Sequence, residues 1–156
     1  MFARLLAILM LPCLLIGCTA TPEVRVTSLD KVSEQPSAGE YTLRIEMRNP
    51  TDLPLILDNW RYEVSTNLKT WSNVWIASRT LPARSITFDS LPVVIRHEGN
   101  MDPITQWKAS GNLKYLLPGQ MAKTLYDLGI SRPNVDFSGS GDETLIGVEA
   151  PAVNSR

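Results

Sequence analysis

His97 is the only histidine of the chain, and it lies in a charged stretch with Arg96, Glu98 and Asp102. A histidine among carboxylates can act as a general base or as a metal ligand. A zinc site, however, needs three or four ligands, and a nucleophilic triad needs a base placed beside its nucleophile. A solvated charged loop accounts for the same residues. The sequence therefore predicts no catalytic residue, no metal site and no enzyme.

The stretch Gly139-Ser140-Gly141-Asp142 is similar to part of a glycine-rich phosphate loop. No lysine follows it, and no helix-forming run begins after it, although a phosphate loop requires both. Glycine, serine and aspartate together are also typical of tight turns. The sequence predicts a turn here.

Both cysteines, Cys13 and Cys18, lie near the start of the chain, so the remaining sequence has no thiol for a disulfide or a metal. The residues before Cys18 combine the basic side chain of Arg4 with an apolar run at 5–16. This arrangement is typical of a secretory signal peptide. The run is shorter than the roughly 20 residues of a spanning helix, and Pro12 interrupts it.

The junction Leu15-Ile16-Gly17-Cys18 resembles the lipobox, the signal-peptidase recognition sequence of bacterial lipoproteins. The resemblance implies that the leader is cut off before Cys18, which then carries a thioether-linked diacylglycerol and an N-acyl chain. Two or three acyl chains hold a protein firmly on a bilayer, because each buried methylene contributes about 0.8 kcal/mol. Thr19 stands where an inner-membrane retention signal has aspartate, so we expect a periplasm-facing outer-membrane anchor. A plain secreted protein is the alternative.

The overall composition predicts one globular domain behind the leader. The chain has 156 residues, 44% hydrophobic, with 15 Lys and Arg against 16 Asp and Glu. The basic residues are scattered singly, which argues against nucleic-acid binding. No cofactor is expected apart from the covalent lipid. The predicted divisions are a leader at 1–17, a lipidated tether at 18–23, a domain at 24–142 and a tail at 143–156.

Alternation of apolar and polar residues at every second position dominates the domain, which indicates half-buried strands. Tyr41–Arg48 and Trp107–Leu117 are the clearest cases. In the run 85–95 the apolar phase changes and Pro92 removes a donor, which predicts a bulge or a switch between sheets. A helix competes at 122–130. Weaker strand runs lie at 24–32, 60–64, 71–78 and 135–137.

About seven strands with turn signals between them predict an all-β fold, an antiparallel β-sandwich of the immunoglobulin or fibronectin III kind. Trp60 and Trp107 are expected in the core because they follow the alternation. Trp71 and Trp75 have polar neighbours, so at least one of them is predicted to be exposed and to contact lipid, glycan or a partner protein. The alternative is that both fill the core.

Several segments, in the same order, resemble late embryogenesis abundant (LEA) type 2 proteins and the related water stress and hypersensitive response (WHy) domain. The strongest match is Leu43–Leu55, where a strand runs into Asn49-Pro50 and an apolar strand follows. Asn49 and Pro50 are read as an architectural turn, since proline fixes φ and asparagine bonds its own backbone. The other matching segments are Tyr62–Val64, Leu81–Ser85, Gly111–Tyr115 and Val135–Phe137.

This resemblance implies a fibronectin-like sandwich that protects proteins or membranes during water loss, and it carries over no active site. The first functional hypothesis is therefore a membrane-anchored domain with a protective or chaperone-like binding role in desiccation or osmotic stress. The second is a protein-binding or lipid-binding module of envelope assembly, suggested by the anchor. An enzyme ranks last, because fold analogy alone is no argument for catalysis.

Overall fold

The computed structural model describes residues 21–96, 103–142 and 145–146. Long runs of alternating side chains form strands, and the segment with competing signals forms a single short helix. The elements are β1 Glu23–Gln35, β2 Ala38–Arg48, β3 Leu55–Thr66, β4 Thr70–Leu81, β5 Ile86–Arg96, β6 Trp107–Leu116, α1 Gln120–Asp127, β7 Asn134–Gly141 and β8 Leu145–Ile146.

The strands form two four-stranded sheets packed face to face. The first sheet has the order β5-β2-β1-β8 and the second has the order β4-β3-β6-β7. Seven strands pair antiparallel, and β8 joins β1 in parallel from within the segment predicted as tail. The predicted all-β antiparallel sandwich is confirmed.

The inward side chains of both sheets fill the space between them. In β2 the alternation predicted from the sequence is observed, since Tyr41, Leu43, Ile45 and Met47 are all buried. Trp60, as predicted, lies in the core, where its ring meets that of Phe137 edge to face at 5.5 Å. Trp107 is also buried, as predicted. Burial of each such large side chain contributes about 1.5–3 kcal/mol to folding.

The strand pairing registers show which loops lie at each end of the sandwich. At the N-terminal end, Glu23 of β1 pairs with Arg48 of β2, which pairs with Ile86 of β5. The same end holds the loops 49–54 and 82–85 and the connection 117–133, which includes α1. The far end holds the turns 36–37 and 67–69.

The predicted bulge or sheet switch in the run 85–95 was wrong. β5 pairs with β2 in one unbroken register from Ile86 to Arg96. The apolar phase changes because Ile86 and Phe88 occupy the solvent face of the strand, where both are exposed. Pro92 is tolerated because β5 is an outermost strand, where a missing N–H breaks no ladder bond.

Register shifts lie elsewhere, in β1 against β2 and in β3 against both of its neighbours. In β3 the register shifts between Leu57 and Asn59, and across from it on β4 Ser78 has a left-handed φ of 42°. Such a bulge reverses which side chains face inward along a strand. The buried residues of β3 accordingly change phase at Asp58.

The turn predicted at residues 139–142 was also wrong, because Gly139 and Gly141 belong to β7. A Cβ on Gly139 would lie 2.5 Å from the Cβ of Val26 on β1. Glycine is required here by the close approach of the two sheets, which closes this side of the sandwich.

Candidate functional site

Asn49 is a buried polar residue that joins two loops of the N-terminal end. Its amide nitrogen donates to the carbonyls of Leu53 at 2.8 Å and Pro82 at 2.9 Å. Its side-chain oxygen accepts from the Thr51 N–H at 3.0 Å, and its own N–H donates to Ser85 O at 2.9 Å. A buried amide with its bonds satisfied stabilises one loop geometry. Asn49 therefore acts as an architectural residue.

The residues after Asn49 continue this connection between loops. Pro50 is half-buried and leads to Thr51, whose carbonyl accepts a 3.0 Å bond from the Arg84 N–H. The Arg84 guanidinium also pairs with Asp52, its Nη2 lying 2.9 Å from Oδ2. This hydrogen bond lowers the pKa of Asp52. Both side chains are exposed, so their pair contributes little to stability.

The outer edge of β5 is closed by side chains from the opposite sheet. Tyr62 donates to the Pro92 carbonyl at 2.6 Å, and the Arg79 guanidinium donates to the Phe88 carbonyl at 3.4 Å. Arg79 also lies 3.5 Å from the carboxylate of Asp89. Because Pro92 additionally lacks an N–H, this edge offers few groups to another strand.

The outer edge of β4 is likewise unpaired in the described part of the chain, and the two side-chain bonds that cover the edge of β5 do not cover it. Three consecutive apolar residues of this strand are exposed: Val74 by 55%, Trp75 by 44% and Ile76 by 71%. An unpaired strand presents a row of N–H and C=O groups that can bind another extended chain. We call this feature, with its three apolar side chains, the β4 edge.

Grooves lie on both sides of the β4 edge. One, of about 320 Å³, opens between the outermost strands of the two sheets, where half-buried Trp71 stacks edge to face on Tyr62 at 5.6 Å. The other, of about 680 Å³, lies along the outer face of the second sheet and includes Arg61, Glu63 and Val74. Both grooves are lined by the first part of β4, and the larger one reaches the β4 edge at Val74.

One titratable group that lines the larger groove has a shifted pKa. Tyr62 is the titratable residue of the larger groove with a shifted pKa, which burial raises to about 12. A phenol held neutral in this way donates a hydrogen bond and does not act as a base near neutral pH. Among the described residues, no group of three or more His, Cys, Asp or Glu could hold a metal ion.

Helix α1 is fixed to the second sheet through a polar contact. The Tyr126 hydroxyl donates to the carboxylate of Asp58 at the β3 bulge, and Arg132 lies over the Tyr126 ring at 5.7 Å. Burial and the bond to Asp58 raise the pKa of Tyr126 to about 12. The helix itself has no buried residue.

The predicted site residues fall into three groups in the structure. Asn49 and Pro50 lie in the loop described above, and Trp71 and Trp75 lie on β4, where Trp75 is the more exposed. The sequence missed Val74 and Ile76, although three successive apolar residues in a strand were a signal that one face could not bury them all. The lipobox at residues 15–18 and the charged stretch around His97 lie outside the described residues.

No helix in the described part of the chain has the length and apolar character needed to cross a bilayer. The sequence matches no protein-family model and no curated protein.

Solved structures share the fold. A target of the Northeast Structural Genomics Consortium superposes with a TM-score of 0.58 at 11% identity, over 89% of this chain and 100% of that one. A protein described as late embryogenesis abundant, solved in solution, superposes with a TM-score of 0.53 at 15% identity, over 94% of this chain and 86% of that one. The chain therefore has an LEA-like β-sandwich fold.

Proposed function

We propose that this chain is a membrane-anchored, non-enzymatic lipoprotein of the LEA type 2 and WHy class. Its role is to protect other proteins during desiccation or osmotic stress by holding their exposed extended segments. The ordered sequence resemblance and the LEA-like fold support the class. Cys18 and the lipobox at residues 15–17 support the anchor.

The β4 edge is the observation that carries the binding role. Proteins that lose water expose apolar segments and unpaired strands, and such segments aggregate by pairing with one another. The β4 edge offers the matching groups, namely backbone donors and acceptors in extended geometry beside Val74, Trp75 and Ile76. Addition of a strand at this edge would shield the client without demanding a particular sequence.

The first experiment measures how well the purified lipoprotein, reconstituted in vesicles, suppresses aggregation of a heat-denatured or dried reporter enzyme. We expect Ile76→Lys to reduce suppression several-fold, because lysine on a strand edge opposes pairing. Val32→Lys is the matched control, since Val32 is similarly exposed but lies on β1 in the first sheet, away from the β4 edge. Equal suppression by the two variants would rule out the β4 edge as the binding surface.

A second experiment tests the biological role. Deletion of the gene should lower survival after drying, and the wild-type chain should restore survival better than Ile76→Lys. Unchanged survival after drying and osmotic shock would remove stress protection. The alternative role in envelope assembly predicts instead that a particular lipid or partner protein co-purifies with the domain.

The anchor is tested separately by mass spectrometry of the mature N-terminus. We expect a diacylglycerol thioether and an N-acyl chain on Cys18, and we expect Cys18→Ser to leave the protein unacylated. A mature chain that begins elsewhere, or carries no acyl group, contradicts the lipoprotein assignment while leaving the client experiment intact.

A further inference from the structure

Exposed apolar side chains are concentrated at the N-terminal end of the sandwich. Helix α1 and the residues after it contribute Met121, Leu128 and Ile130, which are 67–74% exposed. Leu53 in the loop 49–54 and Ile86 at the start of β5 are more than half exposed at the same end. We call these five residues, together with Leu117, the apolar end.

The far end has a different surface. Its described turns at 36–37 and 67–69 carry no exposed large hydrophobic residue, and Val32 and Val94 are the exposed ones on the described strands beside them. Exposed apolar residues grouped in one region of a soluble domain mark a surface that contacts another phase or another molecule. The difference between the two ends therefore needs an occupant.

The position of the chain's start identifies that occupant. β1 begins at Glu23 in the N-terminal end, which is five residue steps along the chain from Cys18. Five extended residues span at most about 17 Å, whereas an eleven-residue strand such as β2 extends about 36 Å. A lipid on Cys18 would hold the apolar end near the bilayer and leave the far end outermost.

The charges of this end also fit a membrane surface. Arg48 lies 3.6 Å from Glu23, Lys123 lies 2.6 Å from Asp127, and Arg84 pairs with Asp52, so these three cations are neutralised locally. Arg132 adds one further cation, whose long side chain can reach lipid headgroups. The apolar side chains lie on loops and on a helix with no buried residue. A fluid interface accepts such a surface without a complementary shape.

We infer that the apolar end inserts shallowly into the headgroup region of the bilayer, so that the domain stands on the membrane with α1 against the lipid. This inference rests on the proposed lipid anchor. It has the consequence that the β4 edge runs away from the membrane, because the strands run between the two ends.

The test uses the full acylated protein in vesicles of phosphatidylethanolamine and phosphatidylglycerol. Removal of the leader and acylation of Cys18 leave no free thiol, so single cysteines can be labelled with an environment-sensitive fluorophore. Labels go on Met121→Cys and Leu128→Cys, with Ser37→Cys in the far-end turn as the control. Circular dichroism confirms that each variant keeps its strand signal.

We expect a blue shift and a several-fold loss of iodide quenching at positions 121 and 128, together with quenching by nitroxide lipids. The label at position 37 should remain open to iodide. Equal iodide quenching at all three positions overturns the inference, as does efficient oxidative joining of two copies through position 128, which would assign the apolar end to a second chain. Vesicle flotation is measured in parallel, and protein that fails to float contradicts the anchor instead.

Discussion

At the scale of single residues, Asn49 stabilises the connections between the two sheets. It is a buried polar residue that satisfies carbonyls from two loops, and those loops join the two sheets. Such a residue sets the path by which β2 leaves the first sheet and β3 enters the second. The resemblance at Asn49-Pro50 thus coincides with a structural requirement.

Replacement of this side chain should be costly. We expect Asn49→Ala to lower the free energy of unfolding by about 2–4 kcal/mol, because it leaves buried carbonyls without donors. Urea denaturation of the purified protein measures the change. Asn134→Ala is the control, since Asn134 is exposed at the start of β7 and its loss should change stability by less than about 0.5 kcal/mol. Similar losses in both variants would contradict the assigned role.

The tyrosines predict how stability depends on pH. Burial raises the pKa of all four, and the pKa values of Tyr62 and Tyr126 reach about 12. An unfolded tyrosine ionises near pH 10, so above that pH the unfolded chain binds fewer protons than the folded one. The contribution of the tyrosines to the free energy of unfolding should therefore be constant below about pH 10 and fall from there to about pH 12.

Denaturation at a series of pH values, with ultraviolet absorbance reporting tyrosinate, checks this dependence. Tyr126→Phe should make the decline shallower, because one of the two most shifted groups is then absent. An unchanged slope in this variant, or tyrosinate absorbance that appears below pH 10 in the folded protein, would count against the assignment.

At the scale of elements, the sandwich closes one side by close packing and leaves the other partly open. On the closed side Gly139 of β7 lies against Val26 of β1. On the other side Tyr62 and Arg79 reach across to β5 and close its edge, while the edge of β4 stays unpaired. The open side is therefore the one that carries the proposed binding surface.

The closed side gives a direct test of the packing. Gly139→Ala should lower the free energy of unfolding by about 1–3 kcal/mol, because its Cβ would overlap Val26. The double variant Gly139→Ala/Val26→Gly, which removes the Cβ of Val26, should recover part of that loss relative to the sum of the single variants. Ser138→Ala, at an exposed position of the same strand, serves as the control. Additive effects in the double variant would show that the two residues do not interact as described.

Strands with one buried apolar face and one exposed polar face could be predicted from the sequence. Strands with apolar residues on both faces could not. Tyr41–Arg48 falls within β2 because every inward residue there is apolar. The bulge or sheet switch predicted in the run 85–95 was wrong because Ile86 and Phe88 are apolar yet face solvent. The sequence pattern alone does not distinguish exposed from buried apolar side chains. β3 begins earlier than predicted because the bulge at Asp58 interrupts its alternation.

The candidate site could be predicted only in part. The sequence indicated that at least one of Trp71 and Trp75 is exposed, because polar residues lie beside them, but it did not distinguish between the two. That β4 is an outermost strand depends on strand order, which alternation along one segment does not encode. The turn predicted at Gly139 was wrong because glycine occurs both in turns and where two sheets approach closely. Only the position of Val26 opposite Gly139 distinguishes the two cases.

At the scale of the whole molecule, stability should be unevenly distributed. β2, β3 and β6 are paired on both sides and contribute much of the core, whereas α1 buries no side chain. We expect amide hydrogen exchange to be slowest in these three strands and at least tenfold faster in α1, since local opening there exposes little apolar surface. Mass-spectrometric exchange measures this order. If α1 exchanges slowly when the protein is bound to vesicles and rapidly when vesicles are absent, the difference reflects contact of α1 with lipid.

The edge of β4 is open and the facing edge of β5 is covered, and this difference limits how many client strands one molecule can bind. A sandwich with both of those edges open could add strands on each and act as a link in a growing fibre. Here the β5 edge is occupied by Tyr62 and Arg79, so a strand that joins β4 finds no second place on that side of the molecule. Each molecule would then bind one client strand on this side of the sandwich and could not link two clients there.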